Sequence, residues 1–264
     1  MSYKLVAVDL DDTLLNHDLE ITKRNKRAIE EALKRGVMVT IATGRMFKAT
    51  KKYALDLNLD IPLITYQGGL VRGIRSEEIY YHKPVPLNYA VELLEIIESI
   101  GCHANIYIDD NLYVKDLNEE AVEYGKMYNV SVNPVGDLRE FMKEGPTKIL
   151  VIEKSPKIDK VLDVLQKNYS KMLSLAKSKS FYLEITHREA TKGAAVAYLA
   201  EKFRISPAEV IAIGDSYNDL SMIRYAGLGV AMGNSPEEIR EQADFVTDTN
   251  DNDGVAKVIE RFVL

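Results

Sequence analysis

Residues 5–13, Leu5-Val6-Ala7-Val8-Asp9-Leu10-Asp11-Asp12-Thr13, decide the fold. The first four are all apolar, with no polar residue at alternate positions. A half-exposed strand needs alternation, and a surface helix needs an apolar stripe every three to four residues. A short unbroken run with β-branched members instead fits a strand covered on both faces. The run then stops abruptly on carboxylates.

Similar runs recur at Val37 to Ile41, Leu63 to Thr65, Val210 to Ile213, Leu228 to Met232 and Phe245 to Thr247. Helical spacing appears between several of them. Thr22 to Arg35 gathers Ala28, Ile29, Ala32 and Leu33 on one face and meets Gly36 as a stop. Lys192 to Phe203 is a second, alanine-rich helix, and Ser235-Pro236-Glu237-Glu238 reads as a capping box with proline at the first helical position. Strands alternating with helices predict an α/β fold, a doubly wound parallel sheet with helices on both faces.

The middle of the chain has a different rhythm. Apolar strands are expected at Ala104 to Ile108, Leu112 to Val114, Ile149 to Ile152 and Phe181 to Ile185. Helices are expected near Ala90 to Ile100, Asn118 to Tyr128 and Ser155 to Tyr169. Asp109-Asp110-Asn111 between two of these strands is a hairpin signal, which makes part of this second sheet antiparallel. We therefore expect a core of residues 1–82 and 186–264, interrupted by an inserted α+β cap over 83–185.

With 264 residues the chain is long enough for two cores, and 46% hydrophobic with 28% charged residues is the mix of a soluble globular protein. A net charge of -6 provides no overall basic field for nucleic acid, and no apolar run approaches membrane-spanning length. Asp9, Asp11 and Asp12 interrupt the first apolar stretch, so a signal peptide is not expected. Cys102 is the single cysteine, which fits a reducing cytoplasm and reads as a small buried hydrophobe. His17, His82, His103 and His187 show no metal-ligand spacing. Neither repeats nor low-complexity tracts are apparent, and oligomeric state is not legible.

The chemistry follows from where polar residues interrupt the strands. One strand ends in Asp9-Leu10-Asp11-Asp12-Thr13, the next in Thr43-Gly44-Arg45, and a third in Gly214-Asp215-Ser216-Tyr217-Asn218-Asp219. Beyond the carboxyl ends of neighbouring parallel strands, such residues converge on one crevice. Asp9 and Asp215 brought together would repel unless a cation neutralises them, and an all-oxygen, incomplete cage suits Mg²⁺, which keeps waters and binds substrate phosphate.

Asp9-x-Asp11-x-Thr13, Thr43, Lys192 and Gly214-Asp215-x-x-x-Asp219 resemble, in that order, the four motifs of the haloacid dehalogenase superfamily. Ile41-Ala42-Thr43-Gly44-Arg45, Lys192-Gly193 and Gly229-Val230-Ala231-Met232-Gly233-Asn234 are similar to its Cof-type sugar-phosphatase branch. The resemblance covers essentially the whole chain. It departs at Gln67-Gly68-Gly69, where the family often has Asn-Gly-Ala.

The resemblance implies a phosphatase for a small phosphorylated metabolite, a sugar phosphate above all, working through an aspartyl phosphate. It implies Asp9 as nucleophile and Asp11 as general acid and then base. Asp9, Asp215 and the Asp11 carbonyl would hold Mg²⁺, the backbone bending after Leu10 so that Asp11 can take part. Thr43, the Gly44 N–H, Lys192 and Asn218 would hold the phosphoryl group, with Asp219 orienting Lys192 or the metal waters from behind. Arg45 reads either as a substrate contact or as structure.

Thr43 follows Asp9 by 34 positions (43 minus 9), so the large insert comes after the second motif, where a roof supplying specificity belongs. Two other readings stand beside this one. A phosphotransferase or mutase would share the intermediate and differ in acceptor. A non-catalytic phospho-ligand sensor would be expected to lack a carboxylate, yet Asp9, Asp11, Asp215 and Asp219 are all present.

Overall fold

The structure is a computed structural model and describes residues 2–264. The chain divides into two compact units, one of residues up to Tyr81 together with Thr191–Leu264, the other His82–Ala190.

The first unit begins with β1 (Leu5–Val8), whose four side chains are all buried. Burying a valine or leucine side chain contributes on the order of 1.5–3 kcal/mol, which is why so short a segment can seed a sheet. Helix α1 (Lys23–Lys34) is capped by the Thr22 side chain accepting from Asn25 N at 3.1 Å. Strand β2 (Met38–Ile41) and helix α2 (Phe47–Asp56) follow. Then come β3 (Leu63–Thr65), β4 (Leu70–Arg72) and β5 (Ile79–His82), which form a separate three-stranded sheet with β3 and β4 antiparallel. Leu63 to Thr65 is thus not a member of the main parallel sheet. It lies beside β2 and meets the end of that strand through a parallel bridge between Ala42 and Ile64.

The second unit runs α3 (Leu87–Ile100), β6 (His103–Ile108), β7 (Asn111–Val114), α4 (Glu119–Tyr128), β8 (Val132–Pro134), α5 (Leu138–Phe141), β9 (Lys148–Ile152), α6 (Lys157–Tyr169), β10 (Leu173–Lys179) and β11 (Tyr182–His187). Its sheet has the order β10-β11-β9-β6-β7-β8, antiparallel throughout except for the β7–β8 pair. The β6–β7 hairpin turns on Asp109 (φ 49°) and Asp110 (φ 58°), the paired left-handed residues that match strand twist in a two-residue loop. Alternation sends Ile106, Ile149, Val151, Leu183 and Ile185 into a core with Leu93, Ile97, Val161 and Leu165 of α3 and α6. The opposite face carries Asn105, Tyr107, Lys148 and Glu184, with Lys148 Nζ 3.5 Å from Glu184 and 5.0 Å from the Tyr107 ring centre.

The chain returns to the first unit with α7 (Lys192–Lys202), β12 (Val210–Gly214), α8 (Leu220–Tyr225), β13 (Leu228–Ala231), α9 (Glu237–Arg240), β14 (Phe245–Val246) and α10 (Gly254–Phe262). The main sheet is parallel, in the order β14-β13-β12-β1-β2. Leu5, Ala7, Val210 and Ala212 pack with Ala195, Val196 and Leu199 of α7 and Met222 of α8 on one face. On the other side α1 packs on α10 and β2. The expected capping box at Ser235 does not form. Among the described residues Ser235 Oγ, which is buried, has no hydrogen-bond partner, and α9 is a single turn with no side-chain cap.

Candidate active site

Parallel register brings the site together. Val8 pairs with Ile213 on one side and Ile41 on the other. The ladder runs one step further, with Asp9 N donating to Ile213 O and Ala42 N to Val8 O, each at 2.9 Å. Asp9, Thr43 and Asp215 therefore emerge at the carboxyl ends of three adjacent strands, within a residue or two of the same level.

Lys192 reaches this point from the first turn of α7. Its ammonium is buried and sits 2.7 Å from Asp9 Oδ1 and 2.6 Å from Asp219 Oδ1. The second oxygen of Asp219 accepts the backbone N–H groups of Asp215 and Ser216, both at 3.0 Å. Both Asp219 oxygens are thereby engaged, which places this acid behind Lys192 and the Asp215 loop. Asp215 Oδ1 accepts the Thr13 hydroxyl at 2.8 Å. Asp9, Asp215 and Asp219 each bring a carboxylate oxygen within 4.8 Å of the others.

Electrostatics here are unbalanced, since one ammonium faces three acids. Burial raises the Asp9 carboxyl well above the ordinary carboxylate range, with the Asp219 charge adding to it, Lys192 opposing and Asp215 adding again. Asp215 is pushed up to about 6, first by burial and then by Asp219, against the Thr13 bond and Lys192. Burial works to lower Lys192, but Asp219 and Asp9 outweigh it and hold the ammonium charged. Oxygen-only donors with surplus negative charge, of which Asp219 is already committed to the protein, fit a hard divalent cation held mainly by Asp9 and Asp215.

The Asp11 side chain makes a different contact. Leu10 is helical, Asp11 extended (φ -76°, ψ 136°) and Asp12 left-handed (φ 55°), and the loop closes with Leu15 N donating to Leu10 O at 2.8 Å. The Asp11 side chain is gripped by Arg45, whose Nε donates to Oδ2 at 2.9 Å and whose Nη2 donates to Oδ1. Arg45 also lies near the Tyr53 hydroxyl, 3.4 Å from Nη1. Its guanidinium is thus occupied by Asp11 and α2.

Thr43 is buried, and its Oγ1 accepts Arg45 N at 3.2 Å. Beside it, Gln67 N donates to Thr43 O at 3.1 Å, and Tyr66 N to Arg45 O at 3.0 Å. Asn218 Nδ2 donates to Gln67 Oε1 at 2.9 Å. Asp9, Lys192, Asp215 and Asp219 thus form one contact group, Asp11 and Arg45 a second, and Thr43, Gly44, Gln67 and Asn218 a third. Thr13, Gln67 and Tyr53 join the expected site residues through these contacts. Thr13 had a signal, as the last member of Asp9-x-Asp11-x-Thr13; Tyr53 had none.

Carboxylates and a buried lysine thus gather at the carboxyl edge of a parallel α/β sheet, the place where such folds bind and transform ligands. The haloacid dehalogenase-like hydrolase family matches residues 6–259. The chain is 35% identical over 261 residues to the 5-amino-6-(5-phospho-D-ribitylamino)uracil phosphatase YcsE of Bacillus subtilis (strain 168), covering 99% of this chain and 96% of that one. The crystal structure of TM0651 from Thermotoga maritima superposes with a TM-score of 0.90 at 35% identity, over 98% and 97% of the two chains. The subclass IIB sugar phosphatase BT4131 superposes with a TM-score of 0.83 at 26% identity, over 98% of each. The chain belongs to the haloacid dehalogenase-like hydrolases, and within them to the Cof-type phosphatases. Among the described residues no helix is long and apolar enough to cross a membrane.

Proposed function

We propose that the protein is a Mg²⁺-dependent phosphatase of small phosphorylated metabolites, with sugar and sugar-alcohol phosphates the favoured class. The buried pair between Asp9 and Lys192, 2.7 Å apart at the end of β1, carries this reading. Asp9 is the nucleophile: its carboxylate oxygen bonds to phosphorus as the bond to the leaving oxygen breaks. Asp11 delivers a proton to that oxygen. The resulting Asp11 carboxylate then takes a proton from water, whose oxygen attacks phosphorus, frees Asp9 and releases inorganic phosphate.

Lys192, at the positive end of α7, stabilises charge on the phosphoryl oxygens, together with Thr43 Oγ1, Gly44 N and Asn218. Asp9, Asp215 and the Asp11 carbonyl would hold Mg²⁺, which when bound neutralises the surplus carboxylate charge and polarises the phosphate. Asp219 keeps Lys192 aimed. The inserted unit sets which metabolite is accepted. The sugar phosphatase and the ribitylamino-uracil phosphatase among the similar proteins support a polyol-bearing substrate. A cytoplasmic location accords with the single thiol of Cys102.

The test is phosphate release from a broad metabolite panel with Mg²⁺ present, using wild type and Asp9→Asn. Release that persists unchanged in D9N removes the nucleophile assignment, and release indifferent to chelation removes the metal.

A further inference from the structure

The turn Tyr66-Gln67-Gly68 is held in a costly conformation. Three successive residues have positive φ, at 53°, 60° and 95°, and the first two are not glycine. Surrounding contacts over-determine it. Backbone bonds tie it to Thr43 O and Arg45 O. A Cβ on Gly68 would lie 2.2 Å from Thr191 O, so the turn also abuts the start of α7, the helix that carries Lys192.

The strained turn carries the Gln67 carboxamide to a defined place. A Cβ on Gly44 would meet Gln67 Nε2 at 2.4 Å but Oε1 only at 3.4 Å, so the amide nitrogen rests over the bare backbone of Gly44. Oε1 points the other way and accepts from Asn218 Nδ2 at 2.9 Å. Gln67 thereby joins the loops after β2 and β12, the two strands that flank β1 and its Asp9. Its acceptor is used, its orientation is set, and among the described residues its two Nε2 hydrogens are donated to no protein group. A fixed, unspent donor pair beside a glycine N–H is what a phosphoryl oxygen requires.

We propose that Gln67 is a further phosphoryl-contacting residue, donating from Nε2 to an oxygen of the substrate phosphate and locked in that orientation by Asn218. This rests on the phosphatase reading above and adds a residue to it. A side chain at position 44 would displace this amide.

Isosteric substitutions separate donation to substrate from a clasp on Asn218. Gln67→Glu keeps the acceptor for Asn218 but replaces the Nε2 donors with an anionic oxygen facing phosphate. Gln67→Leu removes both. With 4-nitrophenyl phosphate and Mg²⁺, we expect kcat/KM to fall about 10-fold in Q67L and about 100-fold or more in Q67E, the donor loss being compounded by repulsion. Inorganic phosphate, titrated calorimetrically against each folded protein, should bind at least about 10-fold more weakly to Q67E than to wild type. A Q67E enzyme matching wild type in both readouts overturns the proposal, whether or not Q67L is impaired. If wild type itself releases no phosphate from any ester, the phosphatase reading fails separately, and the inorganic phosphate titration still decides on Gln67.

Discussion

Arg45 forks onto Asp11, Nε to Oδ2 at 2.9 Å and Nη2 to Oδ1, so the acid expected to trade protons with the substrate is held by a guanidinium. The Asp11 side chain is 42% exposed and the Arg45 side chain 27%, which makes this a lip of the site and not a buried network. Arg45 acts through Asp11 in this arrangement.

We predict that Arg45→Met lowers kcat by roughly 10- to 100-fold while KM moves less than about threefold, because a general acid–base left unaimed loses much of its effect. Arg45→Lys should recover only part, since an ammonium cannot make the planar fork. Steady-state kinetics decide the matter. A raised KM with unchanged kcat would instead make Arg45 a substrate contact.

Lys192 is the ammonium within contact distance of Asp9 and Asp219, and all three are buried. Removing one partner of a buried ion pair typically costs about 3–5 kcal/mol. Lys192→Met should therefore lower the unfolding free energy by an amount on that scale, with a correspondingly lower denaturation midpoint, and abolish turnover. Saturating Mg²⁺ should restore part of the stability without restoring activity. Chemical denaturation with and without Mg²⁺ tests this, and an unchanged midpoint would contradict the role of the pair.

Thr13 donates to Asp215 Oδ1 at 2.8 Å. Groups that orient a metal-binding carboxylate usually matter about 10- to 100-fold in metal affinity. Thr13→Val should shift the Mg²⁺ concentration for half-maximal activity upward by about that factor, with kcat at saturating Mg²⁺ much less affected. Chelation of wild type should remove both activity and the stabilisation that bound Mg²⁺ provides, roughly 2.7 kcal/mol at 100 times the dissociation constant. Activity titrations and thermal melts measure these two effects.

His82 and His103 of the inserted unit both have pKa values lowered from the ordinary 6.5, in each case chiefly by burial. The folded state therefore binds these protons less readily than the unfolded chain, and stability rises with pH wherever they titrate. Their contribution is fully present above about pH 6.5 and is lost as pH falls through and below that value. We predict that wild type loses more stability, read as melting temperature, than His103→Gln as pH falls below about 6.5, Asp9 and Asp215 acting in the opposite sense but equally in both proteins. His103 Nε2 meets Asn105 Oδ1 at 2.7 Å, which the glutamine amide can partly reproduce. A slope unchanged by H103Q would exclude His103 as a source.

The inserted unit shows where sequence patterning stops being informative. Strand β10 leaves no strand signal in sequence because Leu173–Lys179 reads Leu-Ser-Leu-Ala-Lys-Ser-Lys, the polar composition of an edge strand with little apolar surface to hide. Buried β9, Lys-Ile-Leu-Val-Ile, was plain. Leu63–Thr65 looked like a further strand of the parallel sheet because a three-residue apolar run carries no information about its pairing partner. The chain after it doubles back at Tyr66-Gln67-Gly68 and pairs antiparallel with Leu70–Arg72.

Taken alone, the order of residues determined the α/β class of the first unit and the strand ends at which Asp9, Thr43 and Asp215 lie. Burial on both faces selects β-branched runs, and the first polar residue after such a run must leave the sheet. Tertiary structure alone decided that Arg45 holds Asp11, that Asp219 spends both oxygens on Lys192 and its own loop, and that Gln67 lies over Gly44. Those are contacts of side chains with groups that only the folded chain brings beside them. Their geometry depends on left-handed backbone turns and parallel register, neither of which leaves a periodic trace in sequence.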